Sequence, residues 1–302
     1  MAMGYEGSVT LHVDGVTSKD MALGTGASVP AARNILESSS GYGGKIKTPV
    51  NEIGVGTPKT FGWTSYDGSI DMELNSSLYD NQIYTWIFDR QSHAIVEVKS
   101  RYNNDQIFNY CYWNNITLAA SEGSSVACTV GFVAMDRETY NIGGGYISNK
   151  EGEGYFCPPA SFGVPLPLNP ASDLNLAPIP YWDTIVNIDG TDHGFTTWSV
   201  DLSQDVVKFF SCEHDVNPVE PRFVAVGPMT ARFSGELMFV NTTSFTIPND
   251  LTTLNITFGN SALTPSSLKF KDLSLINASD DLQSPESMAP ISIEYLAYEL
   301  VS

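Results

Sequence analysis

Basic residues are scarce in this sequence. Its 302 residues include 15 Lys and Arg against 34 Asp and Glu, which gives a formal net charge of −19. Residues 1–150 carry 10 basic and 15 acidic side chains, a net of −5, whereas residues 151–302 carry 5 and 19, a net of −14. Proteins that bind nucleic acid neutralise phosphates with lysine and arginine. The composition therefore argues against a nucleic-acid-binding surface.

Long apolar runs and cysteine motifs are also missing. No stretch approaches the roughly 18 apolar residues of a transmembrane helix, and the first residues lack the basic-then-apolar pattern of a secretory signal. We therefore expect no membrane insertion and no export. The four cysteines, Cys111, Cys128, Cys157 and Cys212, form no Cys-x-x-Cys pair. A zinc or redox motif is thus unsupported, and reduced, buried thiols are expected.

Catalytic motifs are missing as well. Serine is plentiful, yet no Gly-x-Ser-x-Gly elbow is present, and the three glycines at 143–145 lack the Lys-Ser/Thr of a phosphate-binding loop. Adjacent acids at 280–281 leave calcium binding as a minor alternative. The thiol and imidazole within 212–215, with the Asp-His pair at 192–193, leave zinc as another. We expect no enzyme, no metal and no cofactor.

What the sequence does contain is an alternating β pattern that occurs twice. Residues 9–13 and 184–188 alternate apolar and polar side chains, and both run into an Asp-Gly turn. Three further segments match in the same order, at separations between 157 and 163 residues: 70–74 with 233–237, 115–118 with 272–275, and 130–136 with 293–299. The constant order favours a duplicated unit over two unrelated β domains.

A proline-rich segment lies between the two copies. Residues 157–180 contain seven prolines, which cannot donate to a β ladder and favour extended backbone. We predict a stiff linker there, between a first domain at 1–156 and a second at 181–302. The expected fold is mainly β, with two tandem β-sandwich or half-barrel domains that each carry a short helix.

Apolar periodicity predicts the elements of the first domain. Residues 16–44 form a long polar segment, in which 30–37 fits a short helix begun by a proline. Residues 78–90 fit a helix with Leu78, Ile83, Trp86 and Ile87 on one face and Asp80 as its N-cap. Strands are predicted at 61–74, 94–101, 106–119 and 125–136, with a hairpin turn at 121–124.

The second domain is predicted in the same way. Residues 250–254 occupy the place of the helix, with a much weaker pattern. Strands are predicted at 184–188, 196–202, 222–226, 230–240, 254–258, 268–276 and 290–300.

Aromatic residues cluster at two places, Tyr110, Tyr112 and Trp113 in one strand and Trp63 with Tyr66 in another. An exposed aromatic row stacks on sugar rings, so a carbohydrate-binding β-sandwich is one interpretation. The alternative is that aromatic side chains favour strands and pack across them.

The organisation of each copy resembles the tail tube proteins of long-tailed bacteriophages. The similarity lies in the early strand that ends at 13–15 or 188–190, the helix at 78–90, and the closing strand pair at 115–118 with 130–136, repeated at 272–275 with 293–299. It covers most of the chain outside the linker.

The resemblance implies a structural virion protein that is made in the host cytoplasm and is located in the phage tail. Such domains dock edge to edge into rings, and stacked rings form a tube through which DNA passes without specific binding. A chain with two such domains implies a trimeric, pseudo-hexameric ring, or a hexamer, that contacts itself and other tail proteins. Segment 16–44 would be a stacking arm, and part of the acidic surface would face the channel. A baseplate hub or tail-tube initiator is the alternative within the same assembly class.

Overall fold

Strands dominate the structure. The computed structural model describes residues 7–29, 31–35, 61–100, 105–134, 136–140, 146–148, 177–209, 223–238, 247–259, 266–280 and 290–301. Within these residues the chain is mainly β, with one short helix, a 3₁₀ turn at Tyr181–Asp183, and a six-stranded barrel plus further strands. The prediction of a mainly β fold is confirmed.

The first nine strands, which we call the first unit, contain the barrel. Six of them pair in the closed order β1-β2-β4-β7-β6-β5 and back to β1, with every neighbour antiparallel. β3 extends the edge of β4, and β8 pairs with β6 and β9. The strands are β1 Gly7–Val13, β2 Asp20–Ser28, β3 Ala31–Ile35, β4 Phe61–Glu73, β5 Ala94–Ser100, β6 Asp105–Ser121, β7 Ala127–Ala134, β8 Asp136–Tyr140 and β9 Tyr146–Ser148.

The remaining seven strands, the second unit, follow the same order of pairing without closing. Their antiparallel path is β10-β14-β15-β16-β13-β12, with the short β11 beside β10. This repeats the first-unit path β1-β5-β6-β7-β4-β2 strand for strand. The strands are β10 Thr184–Ile188, β11 Thr191–His193, β12 Phe195–Phe209, β13 Phe223–Met238, β14 Asp250–Phe258, β15 Ser266–Asp280 and β16 Pro290–Val301.

In the described part of the chain, one strand pair, β6 with β12, joins the two units into one sheet. The first half of β6 pairs with β5 and β8, and its second half lies between β7 and β12. β12 shows why these strands form: Trp198, Val200 and Leu202 are buried, whereas Ser199 and Asp201 between them remain partly exposed. This period of two suits a strand with one core face. The buried side chains of both units belong to one core cluster.

The helix lies between β4 and β5, where it was predicted, but its first residue differs. It consists of α1 (Ser76–Leu78), a π-helical turn (Tyr79–Ile83) and α2 (Tyr84–Phe88). The N-cap is Asn75, whose side-chain oxygen accepts a hydrogen bond from the Leu78 amide at 2.9 Å. The prediction of Asp80 as N-cap is wrong. Leu78, Ile83, Trp86 and Ile87 are all buried, as predicted.

A buried polar cluster fixes the helix to the barrel. The Asp20 carboxylate in β2 accepts hydrogen bonds from Ser77 Oγ at 2.5 Å and Gln82 Nε2 at 2.7 Å. Gln82 Oε1 in turn accepts from the Val13 amide at 2.8 Å, and Asn75 Nδ2 donates to the Met21 carbonyl at 2.9 Å. Asp20, Asn75 and Gln82 are almost fully buried. Burial of these groups is tolerated because each of them is hydrogen-bonded.

We expect Asn75→Ala to lower the free energy of unfolding by about 2 kcal/mol, because it removes the cap and leaves the Met21 carbonyl without its donor. Asp80→Ala, at the exposed position proposed from sequence, should change it by less than about 0.5 kcal/mol. Urea unfolding followed by far-UV circular dichroism measures both. Equal losses for the two variants would contradict the assignment of the cap.

Three predicted elements have a different structure. Residues 31–35, predicted as part of a helix, form β3, and most of the polar segment 16–44 that the structure describes forms β2 and β3. Residues 250–254, the weak second helix, belong to β14. In each case pairing with a neighbouring strand overrides a local preference. Residues 36–44, the rest of the predicted stacking arm, lie outside the described residues.

The end of the proline-rich segment is anchored to the first unit. Residues 157–176 lie outside the described part of the chain. Ile179 is buried and forms backbone hydrogen bonds to two segments of the first unit. Its amide donates to the Leu74 carbonyl and its carbonyl accepts from the Val126 amide, each at 2.8 Å. The last residues of the predicted linker are therefore part of the packed structure.

Candidate functional site

One face of the continuous sheet carries a mainly polar surface. Directly opposed residues in neighbouring strands share a face, so the pairing registers define rows across the sheet. On this face the longest row crosses nine strands from β2 to β14 and contains Gly26, Asp71, Thr129, Thr117, Asp201, Arg232, Leu296, Ser274 and Asp250. It runs through both units without interruption.

The neighbouring row has the same character. It contains Glu73, Ala127, Ala119, Ser199, Ser234, Glu294 and Asn277. We call these two rows, with Thr197 and Glu236 of the adjoining row, the polar face. The opposite side of the same strands forms the core, with Ile70, Ile116, Val130, Val200 and Phe233 buried.

Short side chains on the polar face are held by one another across the strands. Thr129 Oγ1 donates to Asp71 Oδ1 at 2.7 Å, and Thr117 Oγ1 donates to Asp201 Oδ1 at 2.6 Å. The second of these bonds crosses the junction between the units. Such pairs fix the carboxylates in place and leave few long, mobile side chains on the surface. The result is a smooth face of Ser, Thr, Ala, Asn and acids.

The polar face is strongly acidic. The polar face contains one basic residue, Arg232. Its acidic residues are Asp71, Glu73, Asp201, Glu236, Asp250 and Glu294. Arg232 Nη1 lies 3.4 Å from Glu294 Oε1, so much of its charge is offset. A groove of about 720 Å³ lies on this face and is lined by Glu73, Glu236 and Glu294 together with small polar residues, alanines and the larger apolar residues Met72, Trp198 and Ile293. A surface of this kind repels phosphate.

The aromatic cluster proposed as a sugar platform is not an exposed row. Trp113 is fully buried, and its Nε1 donates to the Trp86 carbonyl at 2.8 Å. Tyr110 and Tyr112 are partly exposed and stack near His93, with ring centroids 4.9 and 6.2 Å away. Burial lowers the pKa of His93. The side chain of Trp63 lies outside the described residues. Packing, not ligand stacking, accounts for Trp113.

The other candidates do not converge on a site. Cys111 and Cys128 are buried free thiols, as expected, and burial raises the pKa of Cys128 to about 12. The described residues contain no group of three His, Cys, Asp or Glu placed to hold a metal. Residues 143–145, 212–215 and 281 fall outside the description. In the described chain, no helix has the length and apolarity to cross a membrane.

Sequence reasoning missed a shared irregularity. Tyr110 in β6 and Asp272 in β15 both have a φ of 51°, an uncommon value outside glycine. They are 162 residues apart. The bulges that follow, at Trp113/Asn115 and Leu275/Asn277, have the same separation. Asn115 therefore corresponds to Asn277, and the sequence match of 115–118 with 272–275 is wrong by five residues.

No protein-family model matches the chain, and no curated protein matches it.

Proposed function

We propose that this chain is a structural subunit that assembles into rings and stacked tubes, as the tail tube proteins of long-tailed bacteriophages do, with the polar face as the wall of the channel. The single observation that carries the proposal is the continuous acidic face that crosses both units. A face of this extent, with few long side chains, suits the wall of a channel. A tube for DNA needs such a wall, because phosphate must slide past without binding.

The repeated order of strand pairing supports the same proposal. In our interpretation the two units are copies of one β domain, and the proline-rich segment connects them. Each copy contributes four strands to the wall, β2, β4, β7 and β6 from the first and β12, β13, β16 and β15 from the second, and the polar row reaches β14 only at its first residue, Asp250. Two copies side by side in one sheet are two neighbouring segments of a ring.

A trimer gives this ring a plausible size. Three chains with eight wall strands each make about 24 strands, and at about 4.8 Å spacing and about 40° tilt these close a barrel about 50 Å across at the backbone. That width admits a DNA duplex after side chains are added. Three chains also bring a formal charge of three times −19 to each ring.

Electron microscopy of the purified protein in negative stain tests the assembly. We expect rings, and long tubes of stacked rings at high protein concentration. Single rings that never stack would favour a baseplate hub or tail-tube initiator instead. Monomers at all concentrations would overturn the proposal.

The acidic wall leads to a prediction about DNA. Tubes of the double variant Glu73→Lys/Glu236→Lys should retain double-stranded DNA that wild-type tubes do not, with an affinity that falls steeply as salt increases. Retention is measured by co-sedimentation of tubes with labelled DNA at two salt concentrations. The matched control is Asp80→Lys/Asp192→Lys, which changes the charge equally on exposed residues away from the polar face. Equal retention by both double variants would place the channel elsewhere.

A further inference from the structure

Two strand segments, which we call the free edges, lack a partner on their outer side among the described residues. In β2, residues 20–23 pair with β1, whereas Gly24–Ser28 pair with β4 alone. In β15, pairing with β14 stops at Ser274, and residues 277–280 pair with β16 alone. Of the described residues, none pairs with the outer side of either segment. Neither segment holds a lysine, one of the usual protections of a free edge, and Pro30 follows the first segment in the sequence, between β2 and β3.

The junction inside the chain shows what such an edge binds. Residues 115–121 of β6 continue beyond β5 in the way that residues 277–280 of β15 continue beyond β14. They pair with residues 197–203 of β12, with Asn115 opposite Ser203 and Ile116 opposite Leu202. An edge of the first unit is thus covered by an edge of the second.

The pairing registers identify the equivalent positions at the free edges. From Asn115, the pairs lead to Gly131, then Ser69, then Ser28. From Asn277, the corresponding pairs lead to Glu294, then Ser234, then Ser199. Both paths cross the same sequence of strands, so Ser28 is equivalent to Ser199. The equivalent of Leu202, three residues further on, is Ala31.

Side chains at the free edges are more exposed than their equivalents at the internal junction, as expected where a partner strand is missing. At the internal junction Ile116, Trp198 and Leu202 are buried. The equivalents of Ile116 and Trp198 are Ala278 and Ala27, and both are exposed. Ile276, at the bulge beside this edge, exposes 47% of its surface. The apolar side of each free edge is open where the internal junction is closed.

We infer that the β15 edge of one copy pairs antiparallel with the β2–β3 edge of a second copy, in the register of the internal junction, with Ala278 opposite Ala31. The pairing is head to tail, so it generates a ring or an open helix and not a symmetric dimer. It assigns an interface to the ring of the proposed function and rests on that ring only for its closure into a trimer.

Cysteine crosslinking tests the register. Opposed residues in antiparallel strands have Cα atoms about 4.5–5.5 Å apart, within the range that a disulfide spans. Under mild oxidation the variant Ala31→Cys/Ala278→Cys should form covalent oligomers that end at a closed trimer. An equimolar mixture of the two single variants should stop at covalent dimers. The wild-type chain, with its four native cysteines, is the blank.

The control pair is Ala27→Cys/Ala278→Cys, on the same face but four residues out of register, about 13 Å along the strand. A control that crosslinks as well as Ala31→Cys/Ala278→Cys would overturn the register. A second variant, Ala278→Lys, should stay folded because residue 278 is exposed in the monomer, yet lose rings because the lysine would be buried at the interface. Thr252→Lys, exposed on β14, should keep them. Rings that persist in Ala278→Lys would overturn the pairing.

The two proposals fail separately. Tubes in the microscope without the 31–278 crosslink would leave the tube proposal standing and refute this pairing. Crosslinked trimers that never form tubes would support this pairing and refute the tube proposal.

Discussion

Trp113→Ala should lower the free energy of unfolding by about 5 kcal/mol, at the upper end of the losses for removing a buried tryptophan. Trp113 lies at the bulge in β6, just before the residues that pair with β12, and it is fully buried. The substitution empties a large volume between helix and barrel and leaves the Trp86 carbonyl without its 2.8 Å donor. A loss of this size approaches the entire stability of many domains.

The effect should extend to the second unit. Gln204 of β12 donates to the Trp113 carbonyl at 2.8 Å, so the backbone at this bulge holds both units. We therefore expect both units to unfold in one transition at a lower urea concentration in Trp113→Ala, measured by circular dichroism and by hydrogen exchange of β12 amides. Trp182→Ala is the matched control, because Trp182 is 70% exposed and its removal should cost less than about 0.5 kcal/mol. Equal shifts of the two midpoints would contradict the assigned role of Trp113.

The same residue shows how far sequence reasoning reaches. Alternation and aromatic content correctly placed the strand around Trp113, because period two is a property of each strand by itself. Whether an aromatic side chain faces core or solvent depends on where a bulge changes the alternation. At the bulge at Trp113/Asn115 the buried positions change from odd-numbered to even-numbered residues. No local pattern in the sequence predicts this bulge.

Register was the part that the sequence predicted least well. Alternating strands match one another equally well when they are shifted by two residues, so the separation of the repeats had little precision. Ile70 pairs with Val130, and the equivalent pair in the second unit is Gly235 with Ile293. The sequence match instead made Phe233, two residues earlier, the equivalent of Ile70. The polar face and the free edges both depend on register, so neither was accessible before the strand pairs were known.

Among Gly→Ala substitutions in the described chain, Gly68→Ala should be the most destabilising. A Cβ at Gly68 would lie 2.6 Å from Val29 Cα and closer still to the Ser28 carbonyl oxygen. Both are backbone atoms of the segment that pairs with β4, and backbone cannot rotate away as a side chain can. Relief requires β2 to separate from β4 at the point where the barrel closes. We expect a loss of about 3 kcal/mol, at the upper end for overpacking.

Gly194→Ala is the control, because a Cβ there meets nothing within 4 Å. Its free energy of unfolding should stay within about 0.5 kcal/mol of wild type, measured by the same urea titration. Because β2 also carries the proposed assembly edge, Gly68→Ala combined with Ala31→Cys and Ala278→Cys should crosslink less than the double cysteine variant at equal folded fraction. If Gly68→Ala keeps both full stability and full crosslinking, β2 can separate from β4 without a cost in free energy. The pairing of β2 with β4 would then not be what positions the assembly edge.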